Sequence, residues 1–191
     1  MITRAGLLAA ALCLSAGLVL AQPLPSLPPP SPAPLQPSDP FGEETMLPER
    51  SILYFRGSAK WETALESLVD AFTSLLQYAE PKGIKSTGPA LTVFTQTNDT
   101  GFEFLAALPI AEAPADPPKG DIGIGKTPSG RVLKFTHRGS YDAMDTTYEA
   151  ITNYLDQKNL DAKDTFIEEY AGGPLKKDDD NLVVTVYVPI K

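Results

Sequence analysis

Arg131-Val-Leu-Lys-Phe-Thr-His137-Arg-Gly139-Ser-Tyr141 leads through a helix-patterned stretch into Thr165-Phe-Ile-Glu-Glu-Tyr170, and the rest of the chain is organised around this span. Val132 to Thr136 is rich in β-formers and is broken by Gly139, which predicts a strand turning into a helix start. Ser140 or Asp142 offers a cap for that helix. Met144, Thr147, Tyr148, Ile151 and Leu155 recur at the three-and-four spacing of one buried stripe, with Asp145, Glu149 and Thr152 on the wet side. Residues 165–170 then read as a short strand. Side chains alternate along a strand, so Phe166, Glu168 and Tyr170 point one way and Ile167 and Glu169 the other. The two adjacent glutamates therefore cannot share a job.

The same order of elements occurs upstream. Ser51 to Phe55 is β-prone and ends at Arg56-Gly57-Ser58, as the later strand ends at Arg138-Gly139-Ser140. A helix follows with Leu65, Leu68, Val69, Phe72, Leu75 and Leu76 on one stripe, stopping before Pro81 and Gly83. Two strands, Ala90 to Thr95 and Phe102 to Leu108, are joined by the hairpin signal Asn98-Asp-Thr-Gly101. Laid over residues 143–155, residues 64–76 share Ala64 with Ala143, Ala71 with Ala150, Thr73 with Thr152 and Leu76 with Leu155. Thr165 to Tyr170 and Leu182 to Pro189 complete the second copy. A duplicated unit at this spacing implies an internal repeat. The expected fold is α+β: a duplicated strand-helix-strand-strand unit forming an antiparallel sheet with two helices on one face. The other face is expected to be free and concave, with a ligand groove at the pseudo-twofold axis between the halves.

Three segments precede or make up this unit. Met1 to Arg4 followed by the uncharged run Ala5 to Leu20 and the small residue Ala21 reads as a secretory signal over residues 1–21. Left uncleaved, the segment would be a membrane tether, although its run of sixteen uncharged residues falls short of the roughly 20 that span a bilayer. Cys13, the single cysteine, lies inside that run behind Leu12, which does not suit lipidation. Residues 22–48 carry ten prolines and read as an extended, disordered tether. Residues 49–191 are left for one domain. The expected location after cleavage is periplasmic or secreted.

Composition narrows the chemistry. Beyond the signal there is no cysteine, and His137 is the single histidine, so disulfides, thiol nucleophiles and the familiar histidine or cysteine metal sites are excluded. The net charge of −8 becomes −9 once Arg4 leaves, which argues against nucleic acid as a partner. No cofactor is expected. Gly120-Asp-Ile-Gly-Ile-Gly125-Lys126-Thr127 satisfies the phosphate-loop pattern, but it follows a proline-rich stretch and runs into Pro128-Ser-Gly130 instead of a helix, so nucleotide binding is not expected. Asp178-Asp-Asp180 reads as a solvated hairpin loop.

His137-Arg-Gly-Ser-Tyr141 ahead of a helix, Ile167-Glu-Glu-Tyr170 after it and the closing Val186-Tyr-Val-Pro-Ile190 resemble the GyrI-like domain, the effector-binding part of some bacterial multidrug-responsive transcription activators. The resemblance covers residues 49–191 and is strongest in the second half. It implies a small-molecule partner, amphipathic or cationic, bound in a groove between the repeats with a buried glutamate as the main polar contact. That glutamate falls on Glu168, two positions before Tyr170. The residues agree: Phe166, Glu168 and Tyr170 on one strand face place a carboxylate between aromatic rings, an arrangement that attracts an organic cation. A solvated Glu168 paired with a lysine is the plain structural alternative. Tyr141 and Trp61 follow the two Arg-Gly-Ser triplets and can reach the groove mouth; Tyr187 on the closing strand is a further candidate. His137 is expected to be structural, and Gly139 to permit a turn that a Cβ would hinder. Two alternatives stay open: a hydrolase of electrophilic small molecules using Glu168 as a general base, and a haem-binding protein of the SOUL type, for which His137 is the sole histidine ligand.

Overall fold

The computed structural model describes residues 39–177 and 179–191. The expected signal over 1–21 and the first part of the expected tether, through residue 38, lie outside the described residues.

The first copy of the repeat is β2 (Ser51–Lys60), α1 (Ala64–Ala79), β3 (Ala90–Asn98) and β4 (Gly101–Pro109). The second is β6 (Gly130–Arg138), α2 (Met144–Lys158), β7 (Phe166–Tyr170) and β8 (Val183–Pro189). Two further strands, β1 (Phe41–Leu47) and β5 (Ile122–Lys126), complete an eight-stranded antiparallel sheet of order β1-β6-β8-β7-β3-β4-β2-β5. The copies meet at the centre, where β3 and β7 pair with Thr92 opposite Glu168 and Phe94 opposite Phe166. Both edge strands flank equivalent partners, β1 on β6 and β5 on β2, so the halves are alike out to their rims.

Neither edge strand was expected from the sequence. β1 falls within the expected tether, residues 22–48, so the end of that segment is a strand of the sheet. Its side chains are mostly exposed, and it is held through Phe41, whose ring meets Phe135 edge-on at 5.1 Å, and through the buried Leu47. A strand with so few buried residues gives no alternation to detect amid prolines. β5 is the phosphate-loop-like stretch itself. Its glycines admit the ring of Tyr54: a Cβ on Gly123 would lie 2.5 Å from that ring and one on Gly125 3.1 Å from it. The glycine spacing thus serves cross-strand packing, and no helix follows.

Helix α1 buries Leu68, Ala71, Phe72, Leu75 and Ala79 against the sheet; α2 buries Met144 and Ile151 and is ended by Asn159 in the left-handed conformation. Neither Ser140 nor Asp142 caps α2 through its side chain. A 3-10 turn, Tyr141–Ala143, starts the helix instead, with the Ala143 amide donating to the Ser140 carbonyl. Gly139 (φ +126°) makes the preceding bend, a conformation in which a Cβ is strained.

Alternation divides the sheet. Leu53, Phe94, Phe104, Phe135, Tyr170 and Val186 face the helices, whereas Ile52, Leu91, Val93, Ala107, Val132 and Ile167 face away. The helix-free face is not bare: Tyr54, Leu105 and Tyr187 pack over its buried floor. A cavity lies on the helix-bearing face, over the central strand pair.

Candidate functional site

The strand β7 carries two glutamates, and its pleat sends them apart. Glu169 turns to the helix-free face and is matched there by Arg50, 2.7 Å away. Glu168 turns under the helices and is completely buried. Its carboxylate accepts a hydrogen bond from the Tyr148 hydroxyl at Oε1 (2.5 Å) and from the Tyr170 hydroxyl at Oε2 (2.7 Å). Tyr170 also lies 2.9 Å from the Thr92 hydroxyl. A phenol has one proton, so when Tyr170 donates it to the carboxylate the Thr92 hydroxyl donates to Tyr170, giving a hydrogen-bonded chain from β3 through β7 to Glu168. Tyr141 supplies a third phenol that favours the ionised carboxylate.

Burial still wins. It lifts Glu168 from the ordinary carboxyl range to about 7 despite the phenol donors that act the other way. The same burial, together with the Glu168 charge, holds the Tyr141, Tyr148 and Tyr170 hydroxyls well above the usual phenol range, so all three remain donors. The phenols orient and partly stabilise the charge without neutralising it.

Above the carboxylate is a cavity of about 420 Å³ between the first turns of the two helices. Trp61, Glu62, Ala64 and Leu65 wall one side, and Tyr141, Asp142, Met144, Asp145 and Tyr148 the other. Phe94 and Phe166 form the floor beside Glu168, their rings stacked at 4.3 Å and 14°; Tyr148 meets Phe166 edge-on at 5.3 Å. Among the described residues, five aromatic side chains and four carboxylates line this space, and no lysine, arginine or histidine does. Glu62, Asp142 and Asp145 sit in first helical turns, where acidic side chains also complement the helix dipole, so Glu168 is the carboxylate whose placement needs a separate explanation. The volume suits a small organic molecule.

Of the residues singled out in the sequence, Glu168, Phe166, Tyr141 and Trp61 line the cavity, and Tyr170 lies beneath it as the carboxylate's support. Tyr187 is elsewhere: it packs on the helix-free face, beside Glu169, because β8 alternates in step with β7. His137 is buried outside the cavity lining. Its Nδ1 lies 2.7 Å from the Thr147 hydroxyl and its Nε2 3.1 Å from the Ser140 carbonyl, so a neutral ring accepts from Thr147 and donates to Ser140, tying β6 to the start of α2. Burial lowers its pKa and favours that neutral form. Tyr148, Thr92 and Phe94 are the site residues the sequence reading passed over. The helical spacing accounts for Tyr148 only as part of a packed stripe, yet a phenol on a buried stripe must find a hydrogen-bond partner, and that requirement is the signal it carries in the sequence.

A buried carboxylate flanked by aromatics, set between two repeats, is the arrangement inferred from the family motifs, and residues 43–191 match the family described as GyrI-like small molecule binding domain. The chain belongs to this family. Among solved structures, the EcmrR C-terminal domain superposes with a TM-score of 0.64 at 13% identity, over 80% of this chain and 98% of that one. The EcmrR chain in its complex with DNA gives the same TM-score at 15% identity, but this chain spans 57% of its length. SAV2435 bound to tetraphenylphosphonium (TM-score 0.57, 14% identity, 79% and 94% coverage) and a hydrolase from Listeria innocua (0.54, 11%, 80% and 93%) share the fold. No curated protein matches. At such identities the structural likeness speaks for the GyrI-like architecture alone.

Proposed function

We propose that this GyrI-like domain binds small aromatic or amphipathic organic cations in the cavity over Glu168. The observation that carries the reading is a fully buried carboxylate with hydrogen-bond donors but no basic side chain in the cavity around it. An ionised carboxylate in such a place is costly until a positive charge joins it, and the rings of Trp61, Tyr141, Tyr148, Phe94 and Phe166 present π faces and apolar surface to a cation too bulky to be well hydrated. The complex of the structurally similar SAV2435 with tetraphenylphosphonium supports the ligand class. Export is part of the proposal, resting on the charge and hydropathy pattern of residues 1–21. Periplasmic protein whose N-terminus is Gln22 is the expected product, and retention of Met1 in the cytoplasm would refute it.

Titration calorimetry with tetraphenylphosphonium tests the binding reading. Wild type should bind, and Glu168→Gln should lose at least about tenfold in affinity, the scale of one charge-assisted contact. Equal affinities would overturn the assignment of Glu168. A second reading, hydrolysis of an electrophilic ligand, is favoured by a carboxyl group held near neutrality, the range suited to a general base; product formation with loss of turnover in the same variant would establish it. The haem reading would need His137, whose two nitrogens are hydrogen-bonded in the interior; a Soret band on adding haem would support it, and its absence would remove it.

A further inference from the structure

Two of the three phenols on Glu168 come from one segment. Tyr141 stands on the turn Tyr141–Ala143 and Tyr148 on the first half of α2, so the carboxylate depends on where this segment lies. Its own packing is thin: α2 buries two residues, Met144 and Ile151, where α1 buries six. The turn has no side-chain cap, and its position is inherited from the bend at Gly139.

The N-terminal strand β1 holds that segment at both ends. At its start, Arg138, the residue before the bend, donates from Nε and Nη2 to the two carboxylate oxygens of Asp39 at 2.7 and 2.8 Å. Surface ion pairs hold little, but here the Asp39 side chain is 7% exposed and the pair is bidentate, a geometry that fixes orientation as well as distance. Asp39 is kept there by the residues that follow it: the Thr136 amide donates to the Pro40 carbonyl, and Phe41 packs edge-on against Phe135. Toward the far end of α2, Tyr154 meets Phe41 edge-on at 6.0 Å, and its hydroxyl donates to the Gly42 carbonyl at 3.1 Å. Gly42 (φ +77°) leaves room for that ring, which a Cβ there would overlap.

We propose that β1 is a latch on the site and Asp39 a positioning residue: by clamping Arg138 it fixes the bend that presents Tyr141 to Glu168, so that docking of β1 and occupation of the cavity by a cation reinforce each other. The clamp favours the ionised carboxylate, and the ionised carboxylate favours the cation; by reciprocity the bound cation tightens β1. The reinforcement rests on the cation reading of the cavity, whereas the clamp stands without it.

Glu168 is faced by Tyr148 from α2, by Tyr170 from its own strand, by Tyr141 from the turn and, through Tyr170, by Thr92 of β3; Glu62, Asp142 and Asp145 share its cavity. Removing the Asp39 charge acts on this set in two opposite ways. One carboxylate fewer beside Arg138 makes Glu168 easier to ionise, whereas a displaced Tyr141 makes it harder. The direction of the change therefore separates a positioning role from a purely electrostatic one.

Carbon-13 NMR of the Glu168 carboxyl in the ligand-free full chain, assigned by its loss in Glu168→Gln, reads that direction. In Asp39→Ala the titration midpoint should rise by about half a pH unit, a change of about threefold in ionisation, as expected of one weakened hydrogen bond. Tyr141→Phe should raise it too, and adding Asp39→Ala to Tyr141→Phe should raise it no further. A midpoint that is unchanged or lower in Asp39→Ala, or that rises equally in the Tyr141→Phe background, refutes the clamp. Wild type supplies a second measurement that needs no variant. Saturating tetraphenylphosphonium should slow amide hydrogen exchange across residues 41–47 several-fold, and across β5, the equivalent edge strand, much less. If the cation binds in a Glu168-dependent way but slows both strands alike or neither, the reinforcement is refuted while the cavity reading stands. If the cation does not bind, that reading fails and the reinforcement with it, and the midpoint in Asp39→Ala still decides the clamp.

Discussion

Replacing Glu168 by Gln should make the empty protein more stable at neutral and alkaline pH while weakening cation binding. The folded protein holds this carboxyl at about 7, against 4.5 for the ordinary group, because burial outweighs the phenol donors. A folded-state pKa raised above the unfolded value gives stability that is fully present below about 4.5 and is lost as pH climbs through about 7. Over that window the ionised group costs about 3 kcal/mol, since each unit of pKa difference is worth about 1.4 kcal/mol. Glutamine cannot ionise. The stability difference between variant and wild type should therefore move by about 3 kcal/mol in the variant's favour between pH 4 and pH 8, or about 6–12 °C in Tm for a domain of this size. Following the difference across pH removes any constant term from fitting an amide among three phenols. Urea denaturation at pH 4, 5, 6, 7 and 8 without ligand measures it. Parallel profiles for the two proteins would refute the argument, since Glu168 would then titrate alike folded and unfolded. The same ionisation sets the ligand profile. Wild-type affinity for tetraphenylphosphonium should rise about tenfold per pH unit below 7 and level off above it, because the cation prefers the deprotonated site; the glutamine variant should be flat.

Other outcomes follow from particular contacts. Tyr148→Phe removes the donor at 2.5 Å from Glu168, so the carboxyl should be harder to ionise and the midpoint of the affinity–pH curve should move upward, as calorimetry across pH would show. Tyr187→Phe, on the helix-free face, should leave that curve where it is; a shift would contradict the separation of the two faces. Gly123→Ala should cost about 1–3 kcal/mol in urea denaturation, the usual range for overpacking, because its Cβ would meet the Tyr54 ring, while ligand affinity stays unchanged. Stability equal to wild type would show that the ring shifts freely.

The duplication was legible because it rests on local patterns: two helices with matched stripes, an Arg-Gly-Ser bend before each, and strands whose period is two. The flanking strands were not. β1 buries too little and β5 carries glycines where a strand usually carries branched side chains, so each is recognisable only beside the partner that accepts it. The site divided in the same way. Alternation within residues 166–170 was enough to send Glu168 and Glu169 to opposite faces and to put Phe166 and Tyr170 with the former, since the pleat is a property of the backbone. Which face lay beneath the helices, and which glutamate would meet Arg50, depended on how the strands pair.

Sequence therefore determined the repeat, the family motifs and the company each side chain keeps on its own element. Tertiary structure decided the rest. It brought Thr92 opposite Glu168 through the β3–β7 pairing and placed Tyr148 of α2 over the same carboxylate. It also put Tyr187 on the far side of the sheet and left Trp61 exposed on the cavity wall. The physical reason is distance along the chain. Periodicity and turn chemistry act between near neighbours, whereas the burial that pushes the Glu168 carboxyl to about 7 is assembled from residues far along the chain on both sides, from Trp61 and Phe94 to Tyr170.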